Sequence, residues 1–147
     1  MRHVIDNEKH LEELVHEEIL PVLLSSQNRP VVLALSGELG AGKSTFVRAL
    51  GRALAIEEHI ISPTFLLIKE YKVTSPVYGK DLLVHVDAYR ATSKELAALN
   101  LRNIVREKGN IVVVEWADRV RDIIPEDAVW ITFEIADISV RRVNIHD

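Results

Sequence analysis

The chain has 147 residues, the length of one domain with a substantial buried core, and residues 1–147 are expected to form a single domain. Eighteen basic residues against 22 acidic ones, a net charge of -4, leave no basic footprint for direct nucleic-acid binding, and the lack of cysteine excludes disulfides and thiolate metal sites. No apolar run approaches the ~20 residues that span a bilayer, and Met1–Asp6 lacks the apolar centre of a signal peptide, so a cytoplasmic protein with no membrane contact is expected.

Leu11, Leu14, Val15, Ile19, Val22 and Leu23 recur at steps of three and four, which predicts an amphipathic helix over residues 7–25, started by Asp6 or Asn7 as cap. Pro21 lies inside that pattern and is expected to kink the helix or end it early. Gln27-Asn28-Arg29-Pro30 reads as a turn, and Val31–Leu35 as a buried strand.

That strand runs into Gly37-Glu38-Leu39-Gly40-Ala41-Gly42-Lys43-Ser44-Thr45, a match to the phosphate-cradling pattern G-x-x-x-x-G-K-[ST]. Glycines allow consecutive N–H groups to turn inward around a phosphate; Lys43 adds a point charge for the β- and γ-phosphates, and the Ser44 hydroxyl suits Mg²⁺. Phe46, Val47, Ala49, Leu50, Ala53 and Leu54 then share one face of a following helix. Strand, glycine loop and helix N-terminus are the setting this pattern requires, and the helix dipole favours an anion there. A nucleoside triphosphate is the expected ligand.

Ile60–Thr64 reads as a connection, Phe65–Tyr71 as a strand, and residues 72–81, with Ser75-Pro76 and Gly79, as a hairpin-like loop. Leu82–Asp87 is a second buried strand in which Leu83, His85 and Asp87 share a face. Thr92-Ser93-Lys94-Glu95 fits a capping box, so a helix is expected from there toward Arg106. Ile111–Glu115 is a third buried strand. Val129, Ile131, Phe133 and Ile135 alternate with polar positions, and Val140, Val143 and Ile145 follow a turn near Asp137, which suggests two strands pairing at the sheet edge. The sum is an α/β fold of P-loop NTPase type: a mostly parallel central sheet, helices on both faces, and antiparallel C-terminal edge strands.

Phosphoryl transfer depends on charge neutralisation, so a metal-holding acid is needed near Lys43. Asp87 and Glu115 each end a buried strand at the carboxyl edge, where ligands of open α/β sheets bind. Pattern alone leaves open which of them holds the metal. Two such acids suggest divided labour, one on Mg²⁺ and one orienting water.

Ser62-Pro63-Thr64-Phe65, then His85-Val86-Asp87-Ala88-Tyr89-Arg90, then Glu115-Trp116, all downstream of the phosphate loop, resemble the TsaE (YjeE) family over nearly the whole chain. Its members are small bacterial P-loop ATPases of tRNA threonylcarbamoyladenosine biosynthesis. The resemblance implies that Gly37 through Thr45 (Gly37, Glu38, Leu39, Gly40, Ala41, Gly42, Lys43, Ser44, Thr45) and Trp116 contact ATP. It implies Ser44, Asp87 and Glu115 on the Mg²⁺ side, Lys43 and Glu115 in hydrolysis, and Thr64 in a switch-like loop that senses the γ-phosphate. It further implies weak ATPase activity alone and nucleotide-gated docking on the TsaD and TsaB proteins, which hydrolysis resets; tRNA is reached only through that complex. His85 is expected to pack or hydrogen-bond beside Asp87 rather than act as acid or base, Tyr89 to brace the site or meet a partner, and Arg90 to form a surface ion pair or to stabilise transition-state charge. Where the family usually carries a glycine after its E-L segment, this chain has Ala98-Leu99-Asn100-Leu101, and Asn can adopt the left-handed conformation in its place. The alternative is a small-molecule kinase on the same loop, which needs an arginine-bearing lid drawn from Arg90, Arg102 or Arg106. A GTPase lacks its N-K-x-D determinant here.

Overall fold

The computed structural model describes residues 2–61, 63 and 66–146, so Thr64 and its expected switch role lie outside the described residues. Seven strands form one sheet: β1 (Arg2–Ile5), β2 (Val31–Gly37), β3 (Ile68–Lys72), β4 (Leu82–Asp87), β5 (Asn110–Glu115), β6 (Val129–Asp137) and β7 (Val140–His146), in the order β1-β7-β6-β2-β5-β4-β3. β6, β2, β5 and β4 are parallel; β7, β1 and β3 add antiparallel edges. The expected class holds, with one refinement: β6 is interior and parallel to β2, while β7 and the N-terminal β1 form the antiparallel margin.

The continuous apolar character of β2, β4 and β5 follows from burial on both faces. Leu33, Leu35, Leu83, Ile111 and Val113 pack beneath α1 (Glu8–Leu14), α2 (Leu20–Leu24) and α3 (Lys43–Ala53). Val32, Val84, Val86, Val112 and Val114 pack beneath α4 (Ser93–Ala98), α5 (Leu101–Ile104) and a 3₁₀ segment, Ala117–Ile123. Replacing a fully buried Leu33 or Leu35 with Ala removes methylenes from this double-sided core at about 2–5 kcal/mol.

Pro21 does not end the helix but follows directly on an irregularity in it. Between α1 and α2 the chain makes a π turn over Val15–Ile19, with the Leu20 N–H bonded to the Val15 carbonyl. Proline has no N–H to give and its ring crowds the carbonyl four residues back; one extra residue per turn absorbs both effects, so the helical path runs on to Leu24. Asn7 caps the start, its Oδ1 accepting the His10 N–H at 2.9 Å.

The Thr92–Glu95 capping box is formed. The helix behind it does not reach Arg106 unbroken, because Asn100 stands at φ 70° and divides α4 from α5. β3 begins three residues later than expected, at Ile68.

At the amino end of the parallel strands Lys80, 4% exposed, donates to the carbonyls of Ser26 (2.7 Å), Arg29 (2.8 Å), Lys108 (3.1 Å) and Gln27 (3.4 Å). It ties the turn before β2 to the turn before β5. Burial lowers its pKa, Arg29 lowers it further, and Asp81 partly offsets both.

Candidate functional site

β2 delivers the chain to the phosphate loop at Gly37, where β6 runs alongside. A Cβ at Gly37 would stand 2.5 Å from the Phe133 carbonyl oxygen, and its φ of 144° also excludes side chains. Gly42, at φ 108°, precedes α3 and offers no side-chain cap, which leaves the first N–H groups of α3 at the loop mouth uncapped by it. The eleven-residue helix presses Phe46, Val47 and Leu50 into the core, which fixes its N-terminus above the sheet.

Lys43 is 5% exposed. Its ammonium donates to the Gly37 carbonyl and, at 3.2 Å, to the Glu38 carbonyl, and it lies 3.8 Å from the centre of the Trp116 ring. Burial lowers its pKa, opposed first by Glu115 and then by Asp118, Asp87 and Glu38.

The two acids meet through strand register. Asp87 of β4 stands opposite Glu115 of β5, and Leu35 of β2 stands opposite Glu115 on its other side. Both carboxylates are buried, at 8% and 4% exposure. Glu115 Oε1 accepts from the Ser44 hydroxyl at 3.2 Å, and its Oε2 contacts His85 Nε2. Asp87 Oδ1 accepts the Tyr89 N–H at 3.0 Å, an interaction that turns the chain sharply out of β4. Hydroxyl and carboxylate oxygens fit a hard cation such as Mg²⁺, which keeps water and substrate oxygens in its remaining positions. Among the described residues no three His, Cys, Asp or Glu side chains converge as a metal cage.

Trp116, in the left-handed conformation at φ 59°, starts the 3₁₀ segment. Its ring tilts against Tyr89 with centroids 4.9 Å apart. Arg119 closes this cluster: its guanidinium lies 4.9 Å from the Tyr89 ring and 5.1 Å from the Trp116 ring, and it donates to the Tyr89 carbonyl at 3.0 Å. Sequence reasoning did not single out Arg119; its place three residues after Trp116, one 3₁₀ turn on, was the available signal.

Leu39–Thr45, Asp87, Tyr89, Arg90, Glu115 and Trp116 line a cleft of about 360 Å³. A second cavity, about 210 Å³, opens on the other flank of the loop, between Gly40–Gly42, Thr45, Phe133, Arg141 and the Ile5–Glu8 turn. Arg141 bonds the Gly40 carbonyl at 3.2 Å, across 101 residues of sequence, and was also not foreseen. Of the arginines a kinase lid needs, Arg90 lines the cleft; Arg102 on α5 and Arg106 in the turn after it lie beside Pro125 and Asp127. His85 reaches Glu115 on the next strand. No helix among the described residues is long and apolar enough to cross a membrane.

A profile of the family described as threonylcarbamoyl adenosine biosynthesis protein TsaE matches residues 6–143. Three relatives carry the name tRNA threonylcarbamoyladenosine biosynthesis protein TsaE. The Aquifex aeolicus protein is 35% identical over 145 residues, 97% of this chain and 93% of that one. The Treponema pallidum protein is 35% identical over 115 residues, covering 78% and 80%. The Nostoc protein is 42% identical over 92 residues, 60% of this chain and 54% of that one, so here the chain spans about half the relative's length. A crystal structure of Bacillus subtilis YdiB superposes with a TM-score of 0.72 over 99% of this chain and 83% of that one, at 24% identity, a likeness of fold. The profile match takes in the phosphate loop, both acids and Trp116, and on that coverage the chain belongs to the TsaE family.

Proposed function

We propose that the protein is a Mg²⁺-dependent ATPase serving as a nucleotide-gated accessory subunit in threonylcarbamoyladenosine formation on tRNA. The observation that carries the reading is the convergence of Ser44, Glu115 and Asp87 at the mouth of the Lys43 loop. The relatives' shared name supports the pathway.

In this reading the N–H groups of the loop and Lys43 grip the β- and γ-phosphates. Ser44 and Asp87 hold Mg²⁺, with Glu115 beside them. Bound there, the metal neutralises charge on the phosphates. Glu115 also orients the attacking water for hydrolysis to ADP and phosphate. Because the acids stand on one flank of the loop, the γ-phosphate end faces them. The nucleoside end then leaves past Thr45 toward the second cavity, where Arg141 and the Ile5–Glu8 turn stand. Trp116 and Tyr89 roof the phosphate side, and Thr64 takes the role of sensing the γ-phosphate.

The partner is the TsaD–TsaB pair, with tRNA reached only through it in the cytoplasm; the acidic net charge agrees with that division. ATP favours docking and hydrolysis resets it. The test is ATP consumption by the full chain with and without purified TsaD–TsaB. A slow basal rate raised by the pair is expected; no nucleotide binding and no effect of nucleotide on association defeat the reading. A metabolite-dependent rate would establish the kinase instead.

A further inference from the structure

We infer that His85 is a positioning residue for Glu115, holding that carboxylate turned toward Ser44 and away from Lys43. The inference rests on the ATPase reading and adds a residue to it.

His85 and Glu115 share the sheet face beneath α3. His85 pairs with Val113 in the β4–β5 register, so Glu115 stands diagonally across, two residues on, within reach of an imidazole. The ring is 1% exposed. Its Nε2 contacts Glu115 Oε2. A carboxylate oxygen accepts hydrogen bonds, so Nε2 is the donor in this contact. Nδ1 is buried with no hydrogen-bond partner among the described residues. A histidine placed only to fill the core would be better replaced by an aliphatic side chain, since leaving a ring nitrogen without a partner is unfavourable. What the imidazole supplies that Leu or Val cannot is a donor to Glu115 Oε2.

That donor settles a competition. A glutamate side chain has three rotatable bonds, and a lysine ammonium lies in the same cleft. Glu115 is the foremost charge acting to keep Lys43 protonated. A freely rotating Glu115 is drawn toward that ammonium, which removes both groups from the phosphate site. With Oε2 held by His85 and Oε1 bonded to Ser44 at 3.2 Å, the carboxylate is fixed at both oxygens. Lys43 keeps its place against the Gly37 and Glu38 carbonyls. Partners of this kind behind a metal-side carboxylate govern its orientation.

The test compares His85→Leu, His85→Asn and His85→Gln in the full chain. Glutamine carries its amide nitrogen at about the reach of Nε2; asparagine carries it only as far as Nδ1. ATP affinity is measured in EDTA and in Mg²⁺, and turnover with the activating partner pair. His85→Leu and His85→Asn are expected to lower turnover by about 10–100-fold while leaving ATP affinity within about twofold, in EDTA and in Mg²⁺ alike. His85→Gln recovers most of the loss, which also excludes a general folding defect as its cause. On a Glu115→Ala background, adding His85→Leu leaves the residual single-turnover rate unchanged. Wild-type behaviour of His85→Leu, failure of Gln to outperform Asn, or a further loss on the Glu115→Ala background each overturn the inference while the proposed ATPase stands. A wild-type chain that binds no ATP overturns both.

Discussion

Asp87 and Glu115 occupy the same level of two adjacent parallel strands, so the backbone register alone sets two carboxylates side by side beneath the first turn of α3. Only Glu115 is bonded to the Ser44 hydroxyl, whereas Asp87 accepts the N–H of Tyr89. The asymmetry agrees with the division of roles proposed above for the pair. Glu115→Ala is expected to keep ATP binding and lower hydrolysis by at least about 100-fold, in the range of a lost general base or water-orienting group. Asp87→Ala is expected to lower activity together with the Mg²⁺ dependence of binding. Equilibrium binding beside single-turnover hydrolysis separates the two outcomes, and unchanged turnover removes Glu115 from the mechanism.

Lys43→Ala is expected to weaken ATP binding by at least about tenfold, the loss of one charge-assisted contact to phosphate, and to abolish turnover. Titration calorimetry with a non-hydrolysable analogue reads the first effect. Binding equal to that of the wild type excludes the loop as the phosphate site.

The same lysine leaves a pH signature on stability. Burial holds its native pKa below the ordinary 10.5, so between those two values the unfolded chain carries more protons than the native one. Stability from this residue therefore rises with pH across that window, and below it the buried ammonium acts against folding. Lys43→Met removes the contribution. The difference in Tm, variant minus wild type, is expected to fall as pH increases toward 10.5. A flat or rising difference would contradict the burial argument.

Trp116 sits against the Lys43 ammonium at 3.8 Å, so a polyphosphate that draws Lys43 forward changes the surroundings of the indole. In a Trp130→Phe background, which leaves one tryptophan, emission is expected to change on adding ATP. Silence would assign Trp116 to packing against Tyr89 and Arg119.

Gly37→Ala is expected to destabilise the fold by about 1–3 kcal/mol, the cost of a residue forced into a disfavoured backbone region, with a further penalty from the Phe133 carbonyl. Urea denaturation checks it, and a midpoint equal to that of the wild type would refute the close-approach argument.

The parts of the fold most legible in the sequence were those set by local chemistry. β2, β4 and β5 are unbroken apolar runs because both faces are covered, and the phosphate loop carries its glycines where the backbone bends. Asn100 was readable as a left-handed stop, and its φ of 70° agrees. β1 was not legible: Arg2–Ile5 is four residues long, with one buried side chain, and its partner β7 lies at the far end of the chain. β6 reads as an edge strand because its last residues, from Glu134 on, run out beyond the sheet's covered part, while Ile131 and Phe133 are buried. Arg141 reaches the loop only through the β6–β7 pairing, and no local pattern announces a contact of that range. Along the sequence His85 neighbours Asp87, yet its contact crosses to β5, and such diagonals become visible only with the register known.

Lys80 carries a consequence for handling the protein. Four main-chain oxygens from two separate turns converge on one cation, an arrangement otherwise built around a bound metal ion, yet here the ion is tethered by its own side chain. Chelators cannot extract it and dialysis cannot dilute it. Acylation of that amine, by contrast, would abolish the positive centre and let the pole of the sheet opposite the phosphate loop come apart first.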